Sequence, residues 1–136
     1  MASTTIVTYE GDLRCKAEFE GVKTEFNTDA PPSIGGKGEN TDPTTLVGAA
    51  LGSCILTVMG IAASRSDIDF KGARTEIHKE MENAGNRIKS FAVKVYMPHN
   101  KYAEAEKAKL EAIANVCPVK HSLHSDIKVS IEFIYP

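Results

Sequence analysis

Three cysteines, Cys15, Cys54 and Cys117, hold most of the chemistry that this chain could do. The thiolate is the nucleophilic and redox-active form of cysteine, so the question for each is where its sulfur sits and what would stabilise its charge. Cys54 lies in the most apolar stretch of the chain. On its own it reads as a small buried hydrophobe, because free cysteine is among the most buried residue types. Cys117 stands where one helical segment breaks and Pro118 opens the next. That makes it a candidate N-cap, facing free N–H groups and the positive end of a helix dipole, which lowers the pKa of a thiol. Cys15 alternates with Leu13 and Ala17 on an apolar strand face and reads as core.

Cys54 lies about a dozen residues into its helix, beyond the first turn in which the dipole acts. A reactive thiolate there needs another cation. Arginine suits the task, since it is always charged and can bridge a thiolate and an oxygen anion. Arg14, on the strand face opposite Leu13 and Cys15, is the candidate. Arg65, at the far end of the helix, reads as surface. Histidines add little: His78 and His99 are isolated. His121 and His124 flank Cys117 and raise zinc as an alternative, but a fourth ligand at an ordinary spacing is missing. A Cys117–His121 hydrolase would also need an oxyanion site, which nothing in the sequence marks.

The elements that must carry these residues follow from periodicity. Leu13, Cys15, Ala17 and Phe19 alternate with Arg14, Lys16, Glu18 and Glu20, then Val22, Thr24 and Phe26 alternate after a turn at Glu20–Gly21. This predicts a hairpin, with Ile6–Tyr9 as an edge strand before it. Residues 28–41 read as a loop holding Pro31–Pro32 and Gly35–Gly36–Lys37–Gly38–Glu39. Its glycine spacing is that of neither a P-loop nor a dinucleotide fingerprint, so it is expected to be mobile or close-packed, not a phosphate cradle.

Asp42 as N-cap and Pro43 at the first helical position start a long helix, expected to end near Ser64 or Ser66. Leu46 to Ala63 carries no charge and approaches the length of a membrane span, but its glycines, Ser53 and Thr57 favour a buried central helix. A second hairpin turns at Asn83–Asn86, an amphipathic helix covers 101–116, a short helix runs from Pro118 to near His124, and Ile127, Val129, Ile131 and Phe133 alternate as a last strand.

Composition bounds the rest. The 136 residues form one domain over 1–136, with 18 acidic against 16 basic side chains and a net charge of -2. That excludes a strongly basic nucleic-acid binder, and the absence of Trp speaks against a base-stacking platform. An odd cysteine count, and an N-terminus without a basic and then apolar block, predict a reducing cytoplasm.

The stretch Asp42-Pro43-Thr44-Thr45-Leu46-Val47-Gly48-Ala49-Ala50-Leu51-Gly52-Ser53-Cys54 resembles the long-helix motif of the OsmC/Ohr superfamily, which is named for osmotically inducible protein C and organic hydroperoxide resistance protein. Gly35-Gly36-Lys37-Gly38-Glu39 looks like the Gly-rich lead-in of that family, and Cys117-Pro118-Val119 its second cysteine motif. The order of elements agrees along essentially the whole chain, and the OsmC-like branch is the more similar one. The resemblance implies an α+β fold, with antiparallel sheets packed around long central helices in an intertwined homodimer whose active site lies at the subunit interface. It implies thiol peroxidase activity on organic hydroperoxides, with Cys54 as the peroxidatic thiolate and Cys117 as the resolving thiol. The two would close a disulfide, reduced by a dithiol such as a lipoyl protein, with no metal and no organic cofactor. Peroxidases of the family carry a Glu directly after the Pro of the helix motif, paired with the catalytic Arg. Here Thr44 and Thr45 follow Pro43, and Glu39 is the carboxylate that could substitute. The alternative is a non-enzymatic dimeric stress or small-ligand-binding protein that keeps the fold.

Overall fold

The structure is a computed structural model that describes residues 2–136. The chain divides into two compact units, one ending at Leu46 and one spanning Val47–Pro136.

The first unit holds a three-stranded antiparallel sheet of β1 (Thr5–Gly11), β2 (Arg14–Phe19) and β3 (Glu25–Asp29), in the order β1-β2-β3. Leu13, expected to begin the strand, instead sits in the β1–β2 turn with a left-handed φ of 61°. The second connection also differs from expectation. A two-residue turn at Glu20–Gly21 would set Phe19 against Val22 and Arg14 against Asn27. The observed connection runs on through Thr24, so Glu18 pairs with Glu25 and Arg14 with Asp29. The slip is two places, so each side chain keeps its face and changes its partner.

The loop after β3 is close-packed. Pro32–Ile34 form one 3-10 turn, and the N–H of Gly36 bonds to the carbonyl of Pro31 at 3.1 Å. A Cβ on Gly36 would lie 1.8 Å from the carbonyl oxygen of Ala30, so no larger residue fits there without moving backbone.

The second unit is built on α1 (Pro43–Arg65), whose first turn spans the division between the units. Pro43 takes the first helical position as expected, and the Asp42 carboxylate accepts from the N–H of Thr45 at 3.3 Å. The second sheet follows: β4 (Arg74–Glu82), β5 (Arg87–Tyr96) and β6 (Lys128–Ile134) in the order β4-β5-β6. Antiparallel pairing, the expectation for both sheets, holds for β4–β5, but β6 joins β5 in parallel. The reason is the connection: α2 (Glu104–Ala114) and α3 (Pro118–Ser122) intervene, and a helical crossover returns the chain to the same end of the sheet. α2 starts later than the expected residue 101, because the Glu106 carboxylate accepts from the N–H of Ala103 at 2.8 Å and caps the helix there.

The alternation along β5 does what it predicts. Phe91, Val93 and Val95 are buried against Leu51, Ile55 and Met59 of α1 and Leu110 and Ala114 of α2, while Ala92 and Lys94 face outward. The close approach of α1 to the sheet depends on two glycines. A Cβ on Gly48 would lie 3.2 Å from Ile77 and Phe91, and one on Gly52 would lie 2.7 Å from the Thr75 hydroxyl. The opposite face of α1, with Ala50, Ser53, Thr57 and Ile61, is exposed in the single chain.

Candidate active site

Cys54 is carried by α1 and is half-buried, beside the fully buried side chains of Leu51 and Ile55. Cys117 comes from the break between α2 and α3 and is fully buried. The fold brings these two thiols together as hydrogen-bonding partners, and both are free. Cys117 is the N-cap of α3, as its position before Pro118 predicts: its Sγ accepts from the N–H of Lys120 at 3.5 Å.

The expected consequence of that cap is overturned. Burial pushes the Cys117 thiol above its ordinary pKa, and its hydrogen bond with Cys54 pushes it further. The Lys120 N–H pulls the other way and is outweighed, because a five-residue helix has little dipole to offer and the desolvated sulfur prefers to stay neutral. Burial and the neighbouring Cys54 thiol thus both favour the neutral form of Cys117. Cys15 lies on β2, half-buried, between Tyr9 and Thr28 on the neighbouring strands.

Arg14 forms a polar centre within the first unit. Its Nε donates to Asp29 Oδ1 at 2.7 Å and its Nη2 to Asp29 Oδ2 at 2.9 Å, a bidentate fork. The same Nη2 donates to Glu39 Oε1 at 2.9 Å. Asp29, which the sequence reading placed in a loop without a role, is the centre of this arrangement. Its Oδ2 also accepts from the backbone N–H groups of Glu39 (3.0 Å) and Asn40 (2.9 Å) and from Asn40 Nδ2 at 3.1 Å. The Arg14 fork holds the Asp29 carboxyl well below the usual carboxylate range, and the two carboxylates raise Arg14 further above its already high value. Glu39, by contrast, is two-thirds exposed.

Thr44 and Thr45, which follow Pro43, both donate their hydroxyls to the Asp42 carboxylate, with the Thr44 bond at 2.7 Å. They serve the helix cap. His121 is exposed, and His124 Nδ1 lies 3.2 Å from Arg87 Nη2 and accepts from the N–H of Asp126. Among the described residues, no three His, Cys, Asp or Glu side chains gather as a metal site.

The fold and these two thiols define an α+β protein with a dithiol pair between a central helix and the cap of a short one. The family model for OsmC-like protein matches residues 36–132. The crystal structure of a Psychrobacter arcticus protein, described as an osmotic stress induced and detoxification response protein, is 33% identical, with a TM-score of 0.91 over 98% of this chain and 97% of that one. The chain belongs to the OsmC-like family. Two more distant structures share the fold. One is the OsmC like protein of Mycoplasma pneumoniae, 14% identical with a TM-score of 0.82, covering 99% of this chain and 97% of that one. The other is an organic hydroperoxide resistance protein from Legionella pneumophila, 18% identical with a TM-score of 0.72, covering 98% and 96%. No curated protein matches the chain.

Proposed function

We propose that this protein is a cysteine-based thiol peroxidase that reduces organic hydroperoxides. The Cys54 thiolate attacks the peroxide, takes one oxygen onto Sγ as the O–O bond breaks, and becomes a sulfenic acid while the alcohol leaves with a proton. Cys117 then attacks the Cys54 sulfur, forming the Cys54–Cys117 disulfide and releasing water. A dithiol of the lipoyl type reduces that disulfide by exchange and is itself oxidised to a cyclic disulfide. Arg14 supplies the positive charge that favours the Cys54 thiolate, and Glu39 stands in for the glutamate absent at Thr44 and Thr45. No metal or organic cofactor enters this sequence of steps.

The observation that carries this reading is the contact between the Cys54 and Cys117 thiols. It agrees with the family, and with the name of the Legionella pneumophila protein that shares the fold. The reading includes a cytoplasmic homodimer with its active site at the subunit interface. Exposed apolar side chains on β1 (Ile6, Val7 and Tyr9) and Ile61 on α1 support a covering partner of the same chain.

Stopped-flow oxidation of the reduced protein by an organic hydroperoxide and by hydrogen peroxide, followed by mass mapping, tests the proposal. Fast, organic-selective oxidation ending in a Cys54–Cys117 disulfide is the expected result. Slow, unselective oxidation would favour a non-enzymatic stress or ligand-binding member of the family, a reading supported by the capping role of Thr44 and Thr45.

A further inference from the structure

Cys54 and Cys117 both lie in the second unit, and they are held in different ways. Cys54 is fixed by α1, where Leu51 and Ile55 beside it are fully buried. Cys117 has no regular element of its own. It stands in the bend between Ala114, the last residue of α2, and Pro118, the first of α3. Whether its sulfur meets Cys54 therefore depends on whether the bend keeps its shape.

Lys120 reaches both sides of that bend. Its backbone N–H donates to Cys117 Sγ at 3.5 Å, and its Nζ donates to Asn115 Oδ1 at 2.7 Å. Asn115 is the C-cap of α2, and its Nδ2 donates to the carbonyl of Glu111 at 3.4 Å. The Asn115 amide thus holds the end of α2 with one atom and Lys120 with the other. Within α3, the N–H of His121 closes on the carbonyl of Cys117 at 3.0 Å, and the Ser122 hydroxyl on the carbonyl of Pro118 at 2.7 Å. Those bonds shape the short helix. The Lys120–Asn115 bond joins it to the end of α2.

We infer that Lys120 is a positioning residue for Cys117: its ammonium, clipped to Asn115, holds the bend in the shape that presents the Cys117 sulfur to Cys54 for disulfide closure. This rests on the peroxidase reading above and deepens its resolving step. The physical reason is conformational entropy. A disulfide forms only within a narrow range of sulfur separation and torsion. A bend already ordered by the clip loses less freedom when the bond closes. The coupling is reciprocal, so the closed disulfide also strengthens the clip. The clip does not include the sulfur, and it can form in both redox states.

Thiol–disulfide exchange with glutathione tests this without peroxide. Closing the pair takes two protons and two electrons from the two thiols. Oxidised glutathione accepts both and leaves as two reduced molecules. Wild type, Asn115→Ala, Lys120→Met, the double variant and Lys120→Arg are compared, each with Cys15→Ser so that one pair reports. Lys120→Met keeps the backbone N–H and the apolar stem and removes the ammonium. Two quantities are read: the closure equilibrium, from mass-mapped oxidised fractions at set glutathione ratios, and the melting temperatures of the reduced and oxidised forms.

Expected is a fall of about fivefold in the closure equilibrium for Asn115→Ala and for Lys120→Met, the effect of one ordinary hydrogen bond. The double variant should fall no further, because both changes remove the same bond. Lys120→Arg, which keeps a charged donor, should restore closure. A change that merely weakens the fold lowers both melting temperatures alike and leaves the equilibrium in place. An unchanged equilibrium in the single variants overturns the proposal, and so does a double variant whose loss is the product of the two single losses. Where Lys120→Met does not fold, Asn115→Ala decides. A wild type that closes the disulfide with glutathione, loses closure in the variants and does not react selectively with organic hydroperoxide would uphold the clip and sink the peroxidase reading.

Discussion

The thiol of Cys117, at the cap of α3, is hydrogen-bonded to the thiol of Cys54 in the middle of α1, and its pKa is raised above the ordinary thiol value. Burial is the larger cause of that rise. Two helices that are distant in sequence meet at two sulfurs, one closed off from water and one half open to it.

The first prediction concerns roles. Cys54→Ser abolishes turnover of organic hydroperoxide. Cys117→Ser permits one turnover and accumulates sulfenic acid, detectable by a dimedone-type adduct on Cys54. Cys15→Ser retains wild-type kinetics. Full activity in Cys54→Ser would remove it from the attacking position.

A second prediction follows from the raised Cys117 pKa. The neutral form is favoured in the folded state, so Cys117 alkylation, measured by mass spectrometry under native conditions, should develop only above the ordinary thiol value of about 8.5. Cys54→Ser removes one of the two causes and leaves burial. The Cys117 midpoint should move down in that variant and still stay above the ordinary value.

The two helix glycines make a stability contrast. Gly52→Ala places a Cβ 2.7 Å from the Thr75 hydroxyl and 3.0 Å from Ile77 Cδ1. Overpacking of this kind costs about 1–3 kcal/mol, more than the gain of up to about 1 kcal/mol in helix propensity. Gly60 has its nearest neighbour, Phe70, at 4.0 Å. Gly60→Ala should therefore match or exceed the wild type in chemical denaturation, while Gly52→Ala falls below it.

Asp29 gives a signed pH dependence. Its folded pKa is depressed, so its contribution is fully present above the unfolded value of about 3.9 and is lost as pH falls toward the folded one. The melting-temperature gap between wild type and Asp29→Asn should be constant from pH 7 to about pH 5 and should close only in stronger acid. A gap that changed between pH 6 and pH 8 would point to a different titrating group.

The exposed face of α1 tests assembly. Ile61 is 47% exposed in the single chain, amid the small residues Ala50, Ser53 and Thr57. Ile61→Glu should convert a dimer to a monomer in sedimentation velocity, because a charge is costly to bury in an apolar interface. A wild type that sediments as a monomer at micromolar concentration would refute the homodimer.

Local chemistry made much of this legible in the sequence alone. Asp42 and Pro43 set the start of α1, Asn83–Asn86 the turn of the second hairpin, and Pro118 the role of Cys117 as a cap, because caps and turns depend on residues within a few places of each other. The two cysteine motifs, in order, carried the family. Three features lay beyond that reach. The partner of Arg14 turned on a register two places removed from the one a tight turn would give, and a single strand does not contain its own register. The parallel docking of β6 followed from a crossover whose return path only the packed helices define. The direction of the Cys117 pKa reversed because desolvation outweighed the cap, and desolvation is supplied by whatever the rest of the chain lays over the sulfur. The sequence by itself determined the elements, their ends and the reactive atoms. Only the tertiary structure decided which of those atoms face each other and which way the Cys117 pKa moves, because burial and register are properties of contacts between distant segments.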